Sequence, residues 1–346
     1  MNKFLKLGLI ASPFIHILFL KEKIGHIAAL YTICFIFITM LLWLSKISKT
    51  RFNYFWLWCF ISSVFIYGKS IGNLFYLLHV SLFFIVYYAL VTSDVDWKCI
   101  TKPLGAIAVI ISLFSIFEIL GIRQFHYRWF ANPGLLFNPT NSAMYIAVTM
   151  PFLLLYKRGL LYSIIPLTAA LMLKSTSALL GILSIIIIIS LVKKRYTYLV
   201  AAVSTIVLLS IFKHDYFIGL LDSSGKLYIW NMAIQDWMKS AWIGFGLSAS
   251  EAKYTYLGIT WRYLHNEVIY ILHALGLIGL TLFGIFVAPI IKNAIKNRNE
   301  LYIPIASFVS VVVMSLFSIP LRVYPITLIT AFNLAILTRS YKNDAY

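Results

Sequence analysis

Long apolar stretches separated by short polar segments run along almost the whole chain. About 18 to 20 consecutive apolar residues are enough to cross the hydrocarbon core of a membrane as a helix. Stretches such as LLGILSIIIIISLV, residues 179–192, show no alternation of apolar and polar positions, which argues against a membrane β-barrel. The pattern predicts an all-α polytopic membrane protein whose spans lie near residues 5–20, 25–45, 53–68, 72–92, 103–120, 141–156, 159–173, 176–192, 197–212, 267–290, 301–319 and 323–338.

Because the first and seventh of these stretches are short, we expect between 10 and 12 transmembrane helices, forming a single transmembrane domain over residues 1–346. Composition agrees: the chain is 61% hydrophobic and 12% charged, with a mean hydropathy of +0.89. Soluble domains carry roughly a quarter charged residues, so a water-soluble globule is excluded.

The chain has a net charge of +18. We interpret this charge as a signal of how the chain is oriented in the membrane, rather than as a sign of an anionic partner. The basic residues form short clusters between apolar stretches, which is typical of loops that orient a membrane protein, and we expect no nucleic-acid partner. With the N-terminus inside, most of the 29 Lys and Arg residues fall in inner segments. Both termini are therefore predicted to be cytoplasmic.

This orientation places one long loop, residues 213–266, on the outer side between late spans. Loops of this length are usually functional. The stretch SSGKLYIWNMAIQDWMKSAWIGFG predicts an amphipathic helix near 226–242, with Ser223 or Ser224 as its N-cap and Gly244 and Gly246 at its end. We expect it to lie along the membrane interface, with an apolar side formed by Leu227, Trp230, Ile234, Trp237 and Met238. Interfacial anchoring alone is the alternative interpretation.

Ionisable groups near the membrane are costly and are therefore candidates for function. On the predicted outer side they are Arg123, His126, Arg128, Lys174, Lys226, Arg262, His265, Glu267, His273 and Arg322. This set is mostly basic and is interleaved with aromatic residues, a combination suited to a diphosphate carrying a sugar, since guanidinium groups hold phosphate at two points. Side chains that only extend from the lipid boundary into water are the alternative for any one arginine.

Several common catalytic motifs are missing from the sequence. It contains no GxxxxGK[ST] phosphate loop, HExxH zinc pair or GxSxG nucleophile motif. The acidic pair of Asp94 and Asp96 falls in a predicted inner loop, and three separated cysteines suggest no metal cluster. We therefore expect no metal and no cofactor.

His265 stands at the mouth of the predicted span 267–290, beside Asn266 and Glu267. A neutral imidazole at this boundary can accept a proton from an attacking hydroxyl, because its ordinary pKa lies near neutral pH. The alternative is a histidine that only caps the helix or fills the core.

The stretch LHNEVIYILHALGLIGL, residues 264–280, resembles the signature of the bacterial O-antigen ligase and O-antigen polymerase superfamily. The usual form is His-Asn-Glu, a hydrophobic helix and then Glu-x-Gly-x-x-Gly. His265, Asn266, Glu267, Gly276 and Gly279 are in register, whereas Ala274 replaces the second glutamate. Weaker similarities are FNPTNSAMYIAVTMP, KSTSALLGIL with Thr176 where arginine is common, and SSGKLYIW with Lys226 in place of arginine.

The resemblance covers about residues 130–340 and implies a membrane glycosyltransferase acting at the periplasmic face of the bacterial inner membrane. Its donor would be an undecaprenyl-diphosphate-linked oligosaccharide, and its acceptor either another glycan, for a polymerase, or the lipid A core, for a ligase. His265, Glu267 and Asn266 would be catalytic. The diphosphate and glycan would be bound, without metal, by Lys226, Arg262, Arg322, Lys174 and Arg128.

Two other classes of function remain open. A transporter or flippase for the same lipid-linked glycan would tend to show two related halves and polar groups at mid-membrane. The two halves of this chain look unlike, and the middles of its spans are almost purely apolar. A membrane protein without catalytic activity is the third class, and it would leave the pattern of the outer loop unexplained.

Overall fold

A computed structural model of the protein describes residues 54–66, 71–93, 96–122, 136, 138–194, 196–197, 200, 225–248, 254–256, 259–261 and 264–343. Over these residues the chain is mostly helical. The predicted spans near 5–20 and 25–45, and almost all of that near 197–212, lie outside the described residues.

The first half of the chain forms seven α-helices among the described residues, interrupted by two irregular turns. In order they are α1 (Tyr54–Ile61), a π-helical turn (Ser62–Ile66), α2 (Ile71–Val91), α3 (Lys98–Ile119), α4 (Pro139–Thr149), a 3₁₀ turn (Met150–Leu155), α5 (Gly159–Tyr162), α6 (Ile164–Met172) and α7 (Thr176–Lys193).

The second half begins with α8 and a small hairpin, and ends with three long helices. Its elements are α8 (Lys226–Met238), β1 (Tyr254–Tyr256), β2 (Ile259–Trp261), α9 (Glu267–Lys296), α10 (Arg298–Ser315), a 3₁₀ turn (Pro320–Arg322) and α11 (Tyr324–Asn343). The two strands are antiparallel, with Tyr254 opposite Trp261.

Three of these helices, α3, α7 and α9, are long and apolar enough to cross a membrane. Shorter apolar helices lie at Tyr54–Ile66, Tyr76–Val91 and Gly159–Met172. The prediction of a helical protein with membrane-spanning segments is confirmed to this extent. The full number of ten to twelve spans stays a prediction.

A proline accounts for the interruption of the α-helix in two of the predicted spans, 141–156 and 159–173. The predicted span 141–156 is α-helical only to Thr149 and then tightens into the 3₁₀ turn that contains Pro151. The predicted span 159–173 is divided at Ser163, because the ring of Pro166 would clash with the carbonyl of Tyr162 if the first helix continued.

The centre of the bundle is formed by α4 and α11, whose side chains are buried almost throughout. A short polar chain crosses it: Ser307 Oγ donates to Val148 O over 2.6 Å, and Asn333 Nδ2 donates to Ser307 Oγ over 2.7 Å. Hydrogen bonds of this kind between polar side chains and neighbouring helices help to hold a membrane bundle together.

The candidate residues lie at one end of this bundle. Gly181, early in α7, contacts Ser310 and Met314 near the end of α10, so α7 begins where α10 finishes. Asn266, just before α9, donates from Nδ2 to Leu316 O over 2.9 Å. The start of α7, the end of α10 and the start of α9 therefore meet at the same end.

Candidate functional site

The predicted amphipathic helix is present as α8, with an N-cap that differs from the predicted one. Its N-cap is Gly225, with φ of +77°, rather than Ser223 or Ser224. A glycine suits this position because its backbone adopts positive φ without steric cost. The helix ends at Met238, and Gly244 and Gly246 lie beyond it in the following turn.

Ile229 and Ala233 form the buried side of α8, whereas Leu227 and Met238 of the predicted apolar side are about three-fifths exposed. Trp230 and Trp237 are half-buried, and their indole N–H groups donate to Leu264 O over 2.6 Å and to Ala241 O over 2.9 Å. Trp230 therefore holds the segment just before α9, and Trp237 holds the turn that follows α8.

The helix α9 is broken at Gly276, where the backbone has φ of +67° and ψ of −170°. The turn after α8 inserts its own backbone at the break. Leu277 N donates to Ala241 O over 2.9 Å and Ile278 N to Trp242 O over 3.2 Å, while Phe245 N and Gly246 N donate to the carbonyls of residues 273 and 274. Trp58 Nε1 donates to Leu275 O over 3.0 Å.

Non-helical backbone at membrane depth is tolerated only where neighbouring groups satisfy its hydrogen bonds. The inserted turn meets this condition, and it explains two features of the quoted signature. Gly276 provides the positive φ, and Ala274, which stands where the usual pattern has a glutamate, is fully buried with its backbone carbonyl against Gly244.

Asn266 caps α9. Its Oδ1 accepts from Val268 N over 3.0 Å and from Ile269 N over 3.1 Å, and its Nδ2 reaches Leu316 O. This is the geometry of a helix N-cap, with a second bond to the α10–α11 connection. Asn266 was predicted to be catalytic, and in the structure its side chain caps the helix α9.

His265 has positive φ, +50°, which is uncommon for a residue with a side chain and costs free energy. The imidazole is partly buried beside two cations. Burial, and then the charges of Lys226 and Arg322, lower the pKa of His265 from 6.5 to about 4. The imidazole is therefore neutral at physiological pH, the form that can accept a proton.

Glu267, the first residue of α9, is 4% exposed. Its Oε1 accepts from Leu321 N over 3.0 Å, so the carboxylate reaches the 3₁₀ turn that carries Arg322. The guanidinium carbon of Arg322 lies 3.9 Å from the centroid of the Tyr270 ring and 5.0 Å from that of Tyr76.

Lys226, at the start of α8, completes what we call the His265 cluster: Lys226, His265, Glu267 and Arg322. Its Nζ lies 3.5 Å from Phe317 O, and partial burial lowers its pKa. The imidazole of His265 and the buried carboxyl group of Glu267 therefore meet two cations that are distant in sequence, Lys226 and Arg322, at the mouth of α9.

The other predicted binding residues are not placed in this cluster. Lys174 is exposed in the turn between α6 and α7, with φ of +51°, at the same end of the bundle. Arg128 and Arg262 lie outside the described residues, as do Arg123 and His126.

His273 belongs to a separate hydrogen-bonded chain and is 3% exposed. Tyr254 Oη lies 3.3 Å from His273 Nε2 and donates to Asp236 Oδ2 over 3.2 Å. Lys239 pairs with Asp236 at 2.7 Å and holds the pKa of that carboxyl below its ordinary value. This chain joins α8, β1 and α9.

Three residues of α2 were missed from the sequence: Asn73, Tyr76 and His79. Asn73 Oδ1 accepts from Ser248 N over 2.7 Å, Tyr76 contacts Arg322, and His79 Nε2 lies 2.8 Å from Leu321 O. Their spacing of three residues places them on one side of α2, and polar residues on one side of an apolar helix are the signal that could have identified them.

Among the described residues, no group of three or more His, Cys, Asp or Glu side chains is arranged to hold a metal ion. The side chains of the His265 cluster can accept a proton, through an imidazole, and bind an anion, through an ammonium and a guanidinium group.

Lys226 is expected to set part of the pH dependence of any reaction in which His265 accepts a proton. Such activity falls as pH drops through the pKa of His265, near 4. Lys226→Met removes a neighbouring positive charge and should move this acidic limb to higher pH. It should stay below 6.5, because burial, the larger cause, remains. The pH profile of kcat/KM measures the shift, and a limb that stays fixed or moves to lower pH contradicts the assignment.

Comparison of the chain with models of known protein families and with characterised proteins finds no match.

Proposed function

We propose that this protein is a membrane glycosyltransferase that transfers or polymerises an undecaprenyl-diphosphate-linked oligosaccharide in surface polysaccharide biosynthesis. The observation that carries the proposal is the meeting of neutral His265 with the cations Lys226 and Arg322 at the mouth of α9. The resemblance of residues 264–280 to the O-antigen ligase and polymerase superfamily supports it.

In the proposed reaction, a hydroxyl of the acceptor attacks the anomeric carbon of the donor sugar. The bond between that carbon and the diphosphate oxygen breaks, and undecaprenyl diphosphate leaves with the electron pair. His265 takes the proton of the hydroxyl, and Lys226 and Arg322 stabilise the negative charge that develops on the diphosphate. Lys226 supplies charge but not the two-pronged binding of an arginine.

The His265 cluster lies at the mouth of α9, a position that suits one substrate held in the lipid and another that arrives from water. The donor is tethered in the lipid and presents its diphosphate at the membrane boundary, while the acceptor hydroxyl arrives from water. In this proposal the chain has ten to twelve spans, lies in the bacterial inner membrane with both termini cytoplasmic, and exposes the segment 213–266 to the periplasm. The acceptor is a glycan or the lipid A core.

A strain lacking the gene tests the proposal, with lipopolysaccharide analysed on a gel and lipid-linked glycan extracted in parallel. Loss of the ladder from a core that carries a single repeat identifies a polymerase. Bare core, with long glycan accumulating on undecaprenyl diphosphate, identifies a ligase. Profiles identical to those of the parent strain contradict transfer to this glycan.

A further inference from the structure

The turn that carries Arg322 is hydrogen-bonded by side chains from three helices, α2, α9 and α11. We propose that Glu267 and His79 are positioning residues that fix the Pro320–Arg322 turn, so that Arg322 is oriented in advance for the leaving diphosphate, and that Glu267 takes no part in proton transfer. The inference rests on the proposed function, since it assigns roles within the same site.

The peptide group of Leu321, immediately before Arg322, is held on both sides. Its N–H donates to Glu267 Oε1, from α9, over 3.0 Å. Its carbonyl accepts from Thr327 Oγ1, in α11, over 2.6 Å and lies 2.8 Å from His79 Nε2, in α2. A carbonyl oxygen can only accept, so the hydrogen of the neutral His79 ring is assigned to Nε2.

The Arg322 side chain is held in addition by aromatic rings. Tyr270 and Tyr76 contribute the ring contacts at 3.9 Å and 5.0 Å, and Tyr270 is itself fixed by donation from its Oη to Leu247 O over 2.9 Å. A guanidinium close to two rings is restrained through the attraction of its charge to the π systems. Both the backbone and the head group of Arg322 are therefore restrained before any substrate binds.

Such restraint matters because a binding group contributes most when it is held close to its productive geometry by surrounding contacts. Glu267 is 4% exposed, and the hydrogen bond at its Oε1 joins it to the turn rather than to a position that an acceptor hydroxyl reaches. His79 supports the same peptide from the opposite side. Glutamate and histidine thus act through Arg322, not on the substrate.

The test compares Glu267→Gln with Glu267→Ala in the full-length protein. Glutamine keeps an oxygen that can accept from Leu321 N but cannot act as an acid or base, whereas alanine removes both functions. We measure binding of undecaprenyl diphosphate to the purified protein, the rate of glycan transfer, and its pH profile. The glutamine variant should weaken binding and transfer by no more than about threefold, and the alanine variant by about tenfold or more.

His79 provides a second, independent variant pair on the other side of the turn. His79→Gln retains a donor for Leu321 O, and His79→Ala does not. The glutamine variant should therefore keep much of the binding and transfer that the alanine variant loses, as is expected at position 267. Arg322→Ala gives the full loss for reference. Thermal unfolding of each purified variant shows that the folded protein is being compared.

The outcomes separate the inference from the proposed function. If the wild-type protein binds undecaprenyl diphosphate and folded Glu267→Gln loses transfer as completely as Glu267→Ala, with a changed pH profile, Glu267 acts in proton transfer and the inference is overturned. If the wild-type protein binds undecaprenyl diphosphate but does not transfer glycan, the proposed function fails. The binding affinities of the variants then decide whether Glu267 and His79 position Arg322. If it does not bind at all, both fail.

Discussion

Replacement of His265 by alanine is expected to reduce glycan transfer by about 10²- to 10⁴-fold, the contribution usual for a general base. The imidazole is neutral because burial and two cations lower its pKa to about 4, so nearly every molecule is in the proton-accepting form at pH 7. Alanine also carries a Cβ, so the positive φ at position 265 is strained in the variant as it is in the wild type, and the substitution should change the stability of the backbone little. We therefore expect normal accumulation in the membrane together with lost transfer.

The measurement is complementation of the deletion strain, with the lipopolysaccharide ladder and the pool of lipid-linked donor assayed together. Lys239→Ala is the matched control, because this exposed lysine lies just after α8 and pairs with Asp236, outside the His265 cluster. The control should restore the parental ladder, whereas His265→Ala should not. A full ladder from the His265→Ala strain at normal protein level would show that His265 is not the base.

The second large effect, a loss of stability of the folded protein, is expected from Gly276→Ala. A Cβ at this position would overlap the Trp242 carbonyl, and the positive φ strains any residue with a side chain. Strain and overpacking together should destabilise the protein by roughly 2–6 kcal/mol, a large part of the usual stability of a domain. We expect little folded protein in the membrane and a lower unfolding temperature for what remains.

Gly284→Ala is the control for this prediction, because Gly284 lies in the same helix and an added Cβ meets nothing within 4 Å. Alanine is the better helix former, so this variant should unfold no more easily than the wild type. Equal accumulation of the Gly276→Ala and Gly284→Ala variants would contradict the role given to the broken helix and to the turn inserted in it.

The apolar pattern predicted the bounds of α7 and the start of α9 well. The start of α9 at Glu267 and the bounds of α7 agree with the prediction closely, because both begin at a polar side chain that caps an apolar stretch. The pattern failed at the breaks after Thr149 and at Ser163, because hydropathy does not register the effect of a proline on the helix carbonyls before it.

The candidate site was predictable only in part, for a different physical reason. His265, Asn266 and Glu267 adjoin in sequence, so their common location follows directly from the motif. The bond of Asn266 Nδ2 to Leu316 O and that of Glu267 to Leu321 N depend on the α10–α11 connection, which packs there only in the folded chain. Tyr76 and His79 lie on one polar side of α2, which is a local signal, but their contacts with Arg322 and Leu321 form only in the folded chain.

The break in α9 at Gly276 also could not be predicted from the sequence, because it depends on tertiary contacts. A glycine in an apolar span predicts weaker helix at most, and the sequence stretch 267–290 was predicted as one continuous span. The actual break depends on backbone groups of residues 241–246, which satisfy the exposed carbonyl and N–H groups of α9. Only the folded structure brings the two segments together.

The central claim, that this protein transfers glycan from a lipid diphosphate, is tested most directly with purified protein in lipid vesicles. Donor glycan on undecaprenyl diphosphate and a soluble acceptor are supplied with a metal chelator, and released undecaprenyl diphosphate and the new glycan are quantified. We predict that the wild-type protein forms both products in equal amounts and that the His265→Ala variant forms almost none. Movement of intact donor across the vesicle membrane, with no bond broken, would contradict the claim and identify a transporter instead.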